Sequence, residues 1–101
     1  MSETIEKLIK TIRSRKGNDV KLSYTSFLLS KGNDYCLNKL KEEITEFEDA
    51  IRNKKNTVHE AADVIYHLLV TLESAGVNFD NILAELKKRE GTSGFDEKNN
   101  R

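Results

Sequence analysis

EAADVIYHLLVTL, residues 60–72, is the most informative segment of this 101-residue chain for its fold. Its apolar residues surround a narrow polar stripe of Glu60, Asp63, His67 and Thr71, which spans roughly 80° at 100° per residue. Such a pattern is typical of a helix that is enclosed on most sides. An unpaired carboxylate in those surroundings is costly or takes up a proton. The two acids therefore need a lysine or arginine, a metal ion or a water-filled cleft.

The rest of the chain follows the helical period, and alternating strand patterns are nearly absent. The predicted helices run from about Glu3 to Arg15, within 22–32, from about Asp34 to Asn53, from about 58 to 75, and between Asn78 and Gly91. The predicted caps are Ser23 or Thr25, Thr57 and Asn78 at helix N-termini, and Gly32 and Gly76 at helix C-termini. The sequence predicts one all-α domain over residues 1–90, a bundle of about four helices, and a polar tail over 91–101.

The helix predicted over 34–53 has two contrasting faces at 100° per residue. Its apolar face holds Leu37, Leu40, Ile44, Phe47 and Ile51. Its opposite face holds Lys39, Glu42, Glu43 and Glu46. Glu43 and Glu46 have the i, i+3 spacing that projects two side chains from one helix face, and Glu60 and Asp63 on the next helix have the same spacing.

A short loop over 53–56 would make these two helices antiparallel neighbours, so that the four carboxylates converge between them. Like charges so close repel one another unless cations sit among them. An all-oxygen ligand set favours Mg²⁺ or Mn²⁺ over zinc, and Mg²⁺ in such sites usually binds substrate phosphates as well. Lys39 lies one turn before the glutamates, where it could contact a phosphate.

Structural interpretations of the same residues stay open at this point. Glu42, Glu43 and Glu46 also fit an ordinary solvated face. Glu60 and Asp63 also fit the exposed stripe of a four-helix bundle. His67 fits a functional role, orienting a carboxylate or touching substrate, about as well as it fits a hydrogen-bonded structural role. Cys36, the single cysteine, is most simply a small core residue.

Composition argues against several classes of function. The formal net charge is zero, so no basic excess indicates nucleic acid or an anionic membrane as a partner. The N-terminus lacks the apolar core of a signal peptide, and no apolar run approaches the roughly 20 residues of a membrane span. A single cysteine permits no intramolecular disulfide and favours a reducing compartment. We expect a soluble, cytoplasmic protein, and at this size dimerisation would help it to bury a core.

Several motifs, in order along essentially the whole chain, resemble those of one enzyme family. They are SYT (23–25), LL-x-x-G (28–32), K-x-x-E-E-x-x-E (39–46), EAADVIYHLLV (60–70), LAELKKR (83–89) and SG-x-x-EK-x-x-R (93–101). EE-x-x-E followed by E-x-x-D is similar to the signature of the all-α nucleoside triphosphate pyrophosphohydrolases, the MazG-like and dimeric dUTPase group. The full set narrows the resemblance to the phosphoribosyl-ATP pyrophosphohydrolases of histidine biosynthesis, and EAAD-x-x-YHLLV is its most specific part.

The resemblance implies a MazG-like fold and Mg²⁺-dependent hydrolysis of phosphoribosyl-ATP to phosphoribosyl-AMP and pyrophosphate. The metal ligands that it implies are Glu43, Glu46, Glu60 and Asp63, with Mn²⁺ able to substitute. The catalytic acids would be Glu42, Glu43 and Glu46, of which Glu42 is an auxiliary ligand or activates the attacking water. The expected phosphate or substrate contacts are Lys39, Ser23, Tyr24, Thr25 and His67. Family members are usually homodimers or larger assemblies whose bundle is completed across subunits.

Three other functions compete with this one. A general nucleotide pyrophosphohydrolase would share the fold and the metal but act on other triphosphates, such as dCTP or dUTP. A non-catalytic helical dimerisation module would leave the acids merely solvated. A di-iron bundle would need a pair of Glu-x-x-His motifs, which the sequence lacks. For the favoured enzyme, a phosphoribosyl-AMP cyclohydrolase is the expected functional neighbour.

Overall fold

A computed structural model describes residues 2–91 and Gly94, which contain five α-helices. They are α1 (Glu3–Ser14), α2 (Tyr24–Lys31), α3 (Asn33–Asn53), α4 (Thr57–Ser74) and α5 (Phe79–Lys88). No strand occurs in this part of the chain, so the all-α prediction is confirmed. The tail predicted over 91–101 lies outside the described residues except for Gly91 and Gly94. None of the described helices is long and apolar enough to cross a membrane.

Local capping residues set most helix ends where the sequence predicts them. Ser23 is the N-cap of α2, because its side chain accepts a hydrogen bond from the backbone N–H of Ser26 at 3.2 Å. Asn78 caps α5 by accepting from the backbone N–H of Asp80 at 2.9 Å. Gly76, just after α4, has a φ of 74°, the left-handed conformation that closes a helix.

α3 and α4 form an antiparallel hairpin, the closest helix pair of the fold. Far from the loop, the Ser74 hydroxyl donates to the side-chain oxygen of Asn33 at 2.6 Å. Beside the loop, the Thr57 hydroxyl donates to the Ala50 carbonyl at 3.3 Å. The prediction of Thr57 as the N-cap of α4 is wrong, because Asn56 is the N-cap and Thr57 is the first helical residue. Asn56 has a φ of 58°, and asparagine tolerates this left-handed conformation better than a β-branched threonine does.

The core lies where α1 and α2 meet the hairpin. Its buried apolar side chains are Ile12, Leu28, Cys36, Leu69 and Val70. Each of the aliphatic ones stabilises the fold by roughly 1.5–3 kcal/mol through burial. Cys36 is 2% exposed, and its thiol donates to the Leu28 carbonyl at 3.3 Å. The prediction that Cys36 is a small core residue is confirmed.

One face of the hairpin is not covered by the other described helices. It consists of six apolar side chains that are 41% to 86% exposed, which we call the hairpin apolar face: Leu37, Ile44, Ile51, Val58, Ile65 and Leu68. Their helical spacing places them on the side of the antiparallel pair opposite to α2. The expectation that residues 60–72 are enclosed on most sides is not met within one protomer, because α1 and α2 cover only the other side of the hairpin.

Candidate metal-binding site

Four carboxylates meet on α3 and α4. One oxygen from each of Glu43, Glu46 and Glu60 lies within 4.8 Å of the others, and Glu60 and Asp63 form a second group of the same size with His59. Antiparallel pairing produces this arrangement, because the i, i+3 pair of each helix projects toward the facing helix. The structure thus places the four predicted ligands in two overlapping groups that share Glu60.

Two of these carboxylate oxygens have no hydrogen-bond partner among the described residues. Oε2 of Glu43 and Oε2 of Glu60 are shielded from solvent and accept no hydrogen bond from any described residue. An unsatisfied buried oxygen of this kind costs on the order of 1–3 kcal/mol, and more when it is charged. A divalent cation between the helices would satisfy both oxygens and offset the repulsion between them.

The acid cluster also shifts the protonation of Glu43. Burial raises the pKa of this carboxyl above its ordinary value, and the neighbouring Glu46 and Asp63 raise it further. His67 acts on this pKa in the opposite direction. The part of the shift that comes from like charges is the part that a cation bound between the acids would reverse.

The ligand types and the surrounding space suit Mg²⁺ or Mn²⁺. All four acids supply carboxylate oxygen, which hard divalent ions prefer to the nitrogen and sulfur ligands of zinc sites. A groove of about 350 Å³ opens beside them, and its lining includes Glu46, Asp49, Asn53, Asn56 and Glu60. The groove leaves room for water and phosphate oxygens, which usually complete the octahedral shell of Mg²⁺.

Glu42 and Lys39 lie beside the acid cluster rather than in it. Glu42 belongs to neither carboxylate group among the described residues, and its side chain is 62% exposed. Nζ of Lys39 lies 3.2 Å from a carboxylate oxygen of Glu42, and this contact raises the pKa of Lys39. The pair therefore places a permanent positive charge and a solvent-accessible carboxylate at the edge of the four acids.

Ser23 and Thr25 are held by contacts within the protein. Ser23 uses its side-chain oxygen as the N-cap of α2. The Thr25 hydroxyl shares a hydrogen bond with the hydroxyl of Tyr66 on α4, and burial raises the pKa of Tyr66. Both side chains therefore act first as anchors of α2, which carries Tyr24 toward the acids.

Tyr24 and His67 form a short chain that ends at the backbone of a candidate ligand. The Tyr24 hydroxyl lies 3.5 Å from Nε2 of His67, and Nδ1 of His67 lies 3.0 Å from the carbonyl oxygen of Asp63. His67 is only 6% exposed, whereas Tyr24 is 52% exposed. Both residues are predicted substrate contacts. Tyr24 offers the accessible surface, and His67 holds Tyr24 in place.

Sequence reasoning missed three residues around the acids. Nε2 of His59 lies 3.3 Å from a carboxylate oxygen of Asp63, and their i, i+4 spacing was the signal that could have found this pair. Lys31 and Tyr35 approach each other from α2 and α3, with 5.3 Å between Nζ and the ring centre. No spacing rule covers two residues on different helices, so this contact becomes visible only in the fold.

The chain is similar to known proteins over nearly its whole length. The family model for phosphoribosyl-ATP pyrophosphohydrolase matches residues 5–90, which include the whole acid cluster. The phosphoribosyl-ATP pyrophosphatase of Rhodobacter capsulatus is 45% identical over 93% of this chain and 93% of its own length. The protein of the same name from Cereibacter sphaeroides is 44% identical over 93% of both chains. That from Dechloromonas aromatica is 41% identical over 98% of this chain and 94% of its own.

Proposed function

The chain belongs to the phosphoribosyl-ATP pyrophosphohydrolase family, and we propose that its acid cluster hydrolyses phosphoribosyl-ATP to phosphoribosyl-AMP and pyrophosphate, the second step of histidine biosynthesis. The observation that carries this proposal is the pair of shielded, unpartnered oxygens of Glu43 and Glu60 on two neighbouring helices. Such oxygens suit a bound cation, and a cation held by carboxylates is what the hydrolysis of a triphosphate requires.

The residues that would hold Mg²⁺ are Glu43, Glu46, Glu60 and Asp63, and Mn²⁺ would serve in its place. Bound there, Mg²⁺ supplies neutralisation and orientation of the phosphate oxygens. The acids offer it the oxygens that otherwise lack partners, and the adjoining groove leaves space for the substrate phosphates.

The protein itself supplies binding and orientation rather than a nucleophile. Lys39 keeps a positive charge at the edge of the cluster, where it contacts phosphate oxygens. Glu42 lies outside the group of four acids and is the carboxylate available to accept a proton from the attacking water. Tyr24, held by His67, lines the α2 side of the site. Phosphoanhydride hydrolysis asks mainly for positioning and charge stabilisation, so no covalent intermediate is needed.

An assay of phosphoribosyl-AMP formation tests this function. We expect turnover with Mg²⁺ and none with EDTA. Glu43→Gln and Asp63→Asn should each lower kcat by at least about 100-fold, because each removes a charged ligand. Glu48→Gln is the matched control, since Glu48 lies exposed on the same helix and pairs with Arg52 at 3.0 Å.

Three outcomes would contradict the proposal. Folded wild-type protein that shows no turnover with Mg²⁺ would exclude the activity. Full activity in both ligand variants would favour a non-catalytic helical module whose acids are only solvated. Release of pyrophosphate from dCTP or dUTP at rates that match phosphoribosyl-ATP would favour a general nucleotide pyrophosphohydrolase.

The hairpin apolar face supports a homodimer in which a second copy completes the bundle. Leu37, Ile44 and Ile51 recur every seventh residue along α3 and are 42%, 48% and 52% exposed. A continuous apolar stripe of this kind marks a protein interface, and a self-complementary helical pair is the simplest way to cover it. Sedimentation equilibrium should give twice the chain mass or a larger multiple, and a monomer at micromolar concentration would contradict the assignment.

The cellular setting follows from the reaction. The product, phosphoribosyl-AMP, is the substrate of a phosphoribosyl-AMP cyclohydrolase, which makes that enzyme a functional partner in the pathway. Cys36 is a buried free thiol, which suits the reducing cytoplasm. Cell fractionation with an antibody to the chain would test the cytoplasmic assignment.

A further inference from the structure

Two lysines from different helices meet over one aromatic ring on the α2 side of the site. Nζ of Lys31, in the last turn of α2, lies 5.3 Å from the centre of the Tyr35 ring, and Nζ of Lys39 on α3 lies 5.5 Å from the same centre. Ammonium groups are attracted to a ring face at this distance. Tyr35 therefore gathers two positive charges, and we call Lys31, Tyr35 and Lys39 the lysine–tyrosine cluster.

The lysine–tyrosine cluster rests on fixed packing. The Tyr35 ring meets the Phe27 ring edge-on, with 5.8 Å between centres, and Phe27 packs against the buried core. Lys39 pairs with Glu42, whereas Lys31 forms no ion pair with any carboxylate in the described part of the chain. The cluster therefore has a packed aromatic ring at its centre and a net positive charge.

An exposed aromatic ring lies between this cluster and the acids. Tyr24 stacks on Phe27, with 6.3 Å between ring centres and 20° between ring planes. It is 52% exposed, so one part of its surface is available to a ligand. The Tyr24 hydroxyl also lies 3.5 Å from Nε2 of His67, whose Nδ1 lies 3.0 Å from the carbonyl oxygen of Asp63. The ring therefore reaches from Phe27 to the acid side of the site. A flat ring between a cationic site and a metal-binding site suits a purine.

We propose that the lysine–tyrosine cluster binds the phosphomonoester on the second ribose of phosphoribosyl-ATP while the triphosphate lies at the acids. This inference rests on the proposed function, because that substrate carries phosphate on two riboses attached to one purine. The acids repel a phosphomonoester that brings no metal ion, so this group needs a separate cationic site. Lys31 is the member of the cluster that an ordinary nucleoside triphosphate does not require, which makes it the specificity-determining residue.

Lys31→Met tests the inference, because it removes the charge and keeps most of the side-chain length. We expect the KM for phosphoribosyl-ATP to rise about tenfold, the loss of one charge-assisted contact, while kcat stays unchanged. Product inhibition separates the two ends of the substrate. The inhibition constant of phosphoribosyl-AMP should rise by a similar factor, and that of pyrophosphate should stay the same. Lys31→Arg should retain wild-type constants.

Lys10→Met is the matched control, since Lys10 is an exposed lysine on α1, and it should leave every constant unchanged. Equal thermal unfolding temperatures would show that all variants are folded. Unchanged KM and phosphoribosyl-AMP inhibition in Lys31→Met, in an enzyme that turns over phosphoribosyl-ATP, would overturn this inference and leave the proposed function standing. Equal weakening of inhibition by both products would also overturn it. Wild-type protein without turnover would remove the proposed function and this inference together.

Discussion

The carboxylate of Glu43 is unfavourable for the metal-free fold. Its Oε2 is shielded and unpartnered, and the carboxylates of Glu46 and Asp63 raise its pKa together with burial. Glutamine has nearly the same shape without the charge, so it would relieve the repulsion and at the same time remove a metal ligand. Stability and metal binding therefore oppose each other at this residue.

We expect Glu43→Gln to raise the free energy of unfolding of the metal-free protein by about 1 kcal/mol, because a neutral amide replaces a shielded carboxylate among like charges. The same variant should lose most of the increase in unfolding temperature that Mg²⁺ gives the wild type. Urea denaturation in EDTA and in Mg²⁺ measures both effects, with Glu48→Gln as the control. A metal-free Glu43→Gln protein less stable than the wild type would contradict this account.

The raised pKa of Glu43 also predicts how the stability of the metal-free protein depends on pH. The folded state holds this proton more tightly than the unfolded chain, whose carboxyl titrates near 4.5. The free energy of unfolding should therefore fall as pH rises from about 4.5 through the pKa of the folded carboxyl. Denaturation in EDTA at a series of pH values measures this slope. If Glu43→Gln shows the same slope as the wild type, another group is responsible.

Cys36 provides a reporter of unfolding. Burial raises the pKa of its thiol, and the thiolate is the reactive form. We expect iodoacetamide to modify Cys36 in the native protein at least about 100-fold more slowly than in the urea-unfolded chain, because the fold must open first. Mass spectrometry of timed samples measures the rate. Comparable rates in the two states would show that the α2–α3 packing around Leu28 opens easily.

At the level of single residues, spacing along one helix predicted which side chains share a face. Glu43 with Glu46 and Glu60 with Asp63 are fixed in direction by the helix itself. The short loop between the two helices predicted that the pairs would face each other, and they lie in two groups that share Glu60. The contact between Lys31 and Tyr35 depends on the angle between α2 and α3, which no pattern along the chain encodes. His67 is intermediate, since its position on the polar stripe was clear but its contact with Tyr24 was not.

Among the elements, the turn between α3 and α4 contains a strained residue. Lys54 has a φ of 54° at the C-cap of α3, although a Cβ disfavours this left-handed conformation. We expect Lys54→Gly to raise the free energy of unfolding by about 0.5–1 kcal/mol. Glycine removes the strain of the left-handed conformation, and the greater backbone entropy of the unfolded chain offsets part of that gain. Lys55→Gly, at a neighbouring residue whose φ is not positive, should be neutral or destabilising. Equal effects of the two substitutions in denaturant titrations would contradict this explanation.

Helix bounds were predictable wherever a capping side chain or a glycine with positive φ marks them. Ser23, Asn78 and Gly76 all act where the sequence indicated. Thr57 was assigned as the cap because threonine is a common N-cap. The three-residue turn instead ends in a left-handed residue, and Asn56 adopts that conformation and is the N-cap. The cap depends there on turn geometry rather than on residue preference alone.

For the whole molecule, the hairpin apolar face predicts the effect of a charge on assembly. We expect Ile44→Glu to weaken dimerisation by at least roughly 100-fold. Each of the two subunits would lose one apolar side chain from the interface and bury a carboxylate in its place. The protomer should stay folded, since Ile44 is 48% exposed within it. Thr45→Glu, at an exposed neighbour, is the control. Sedimentation equilibrium measures the dissociation constant, and an unchanged value for Ile44→Glu would place the interface elsewhere.

The apolar pattern of α3 predicted a face but not which surface covers it. Cys36 and Ala50 are buried and Glu43 is partly buried, while Leu37 and Ile44 on the apolar stripe stay half exposed. Hydrophobic periodicity predicts that a helix face is buried, but it does not indicate whether the same chain or a second copy buries it. For this reason the fold class was predictable and the extent of enclosure within one protomer was not.

The short turn of the α3–α4 hairpin has a kinetic consequence. Residues 54–56 join two helices that carry all four candidate ligands, so the sequence separation between the halves of the site is small. Contacts that close short loops form early in folding. The hairpin should therefore assemble ahead of its docking with α1, and charge repulsion between the acids should act as a barrier in that early step. Divalent cations should then speed refolding in stopped-flow experiments, because they offset this repulsion. A refolding rate that Mg²⁺ leaves unchanged would contradict this account.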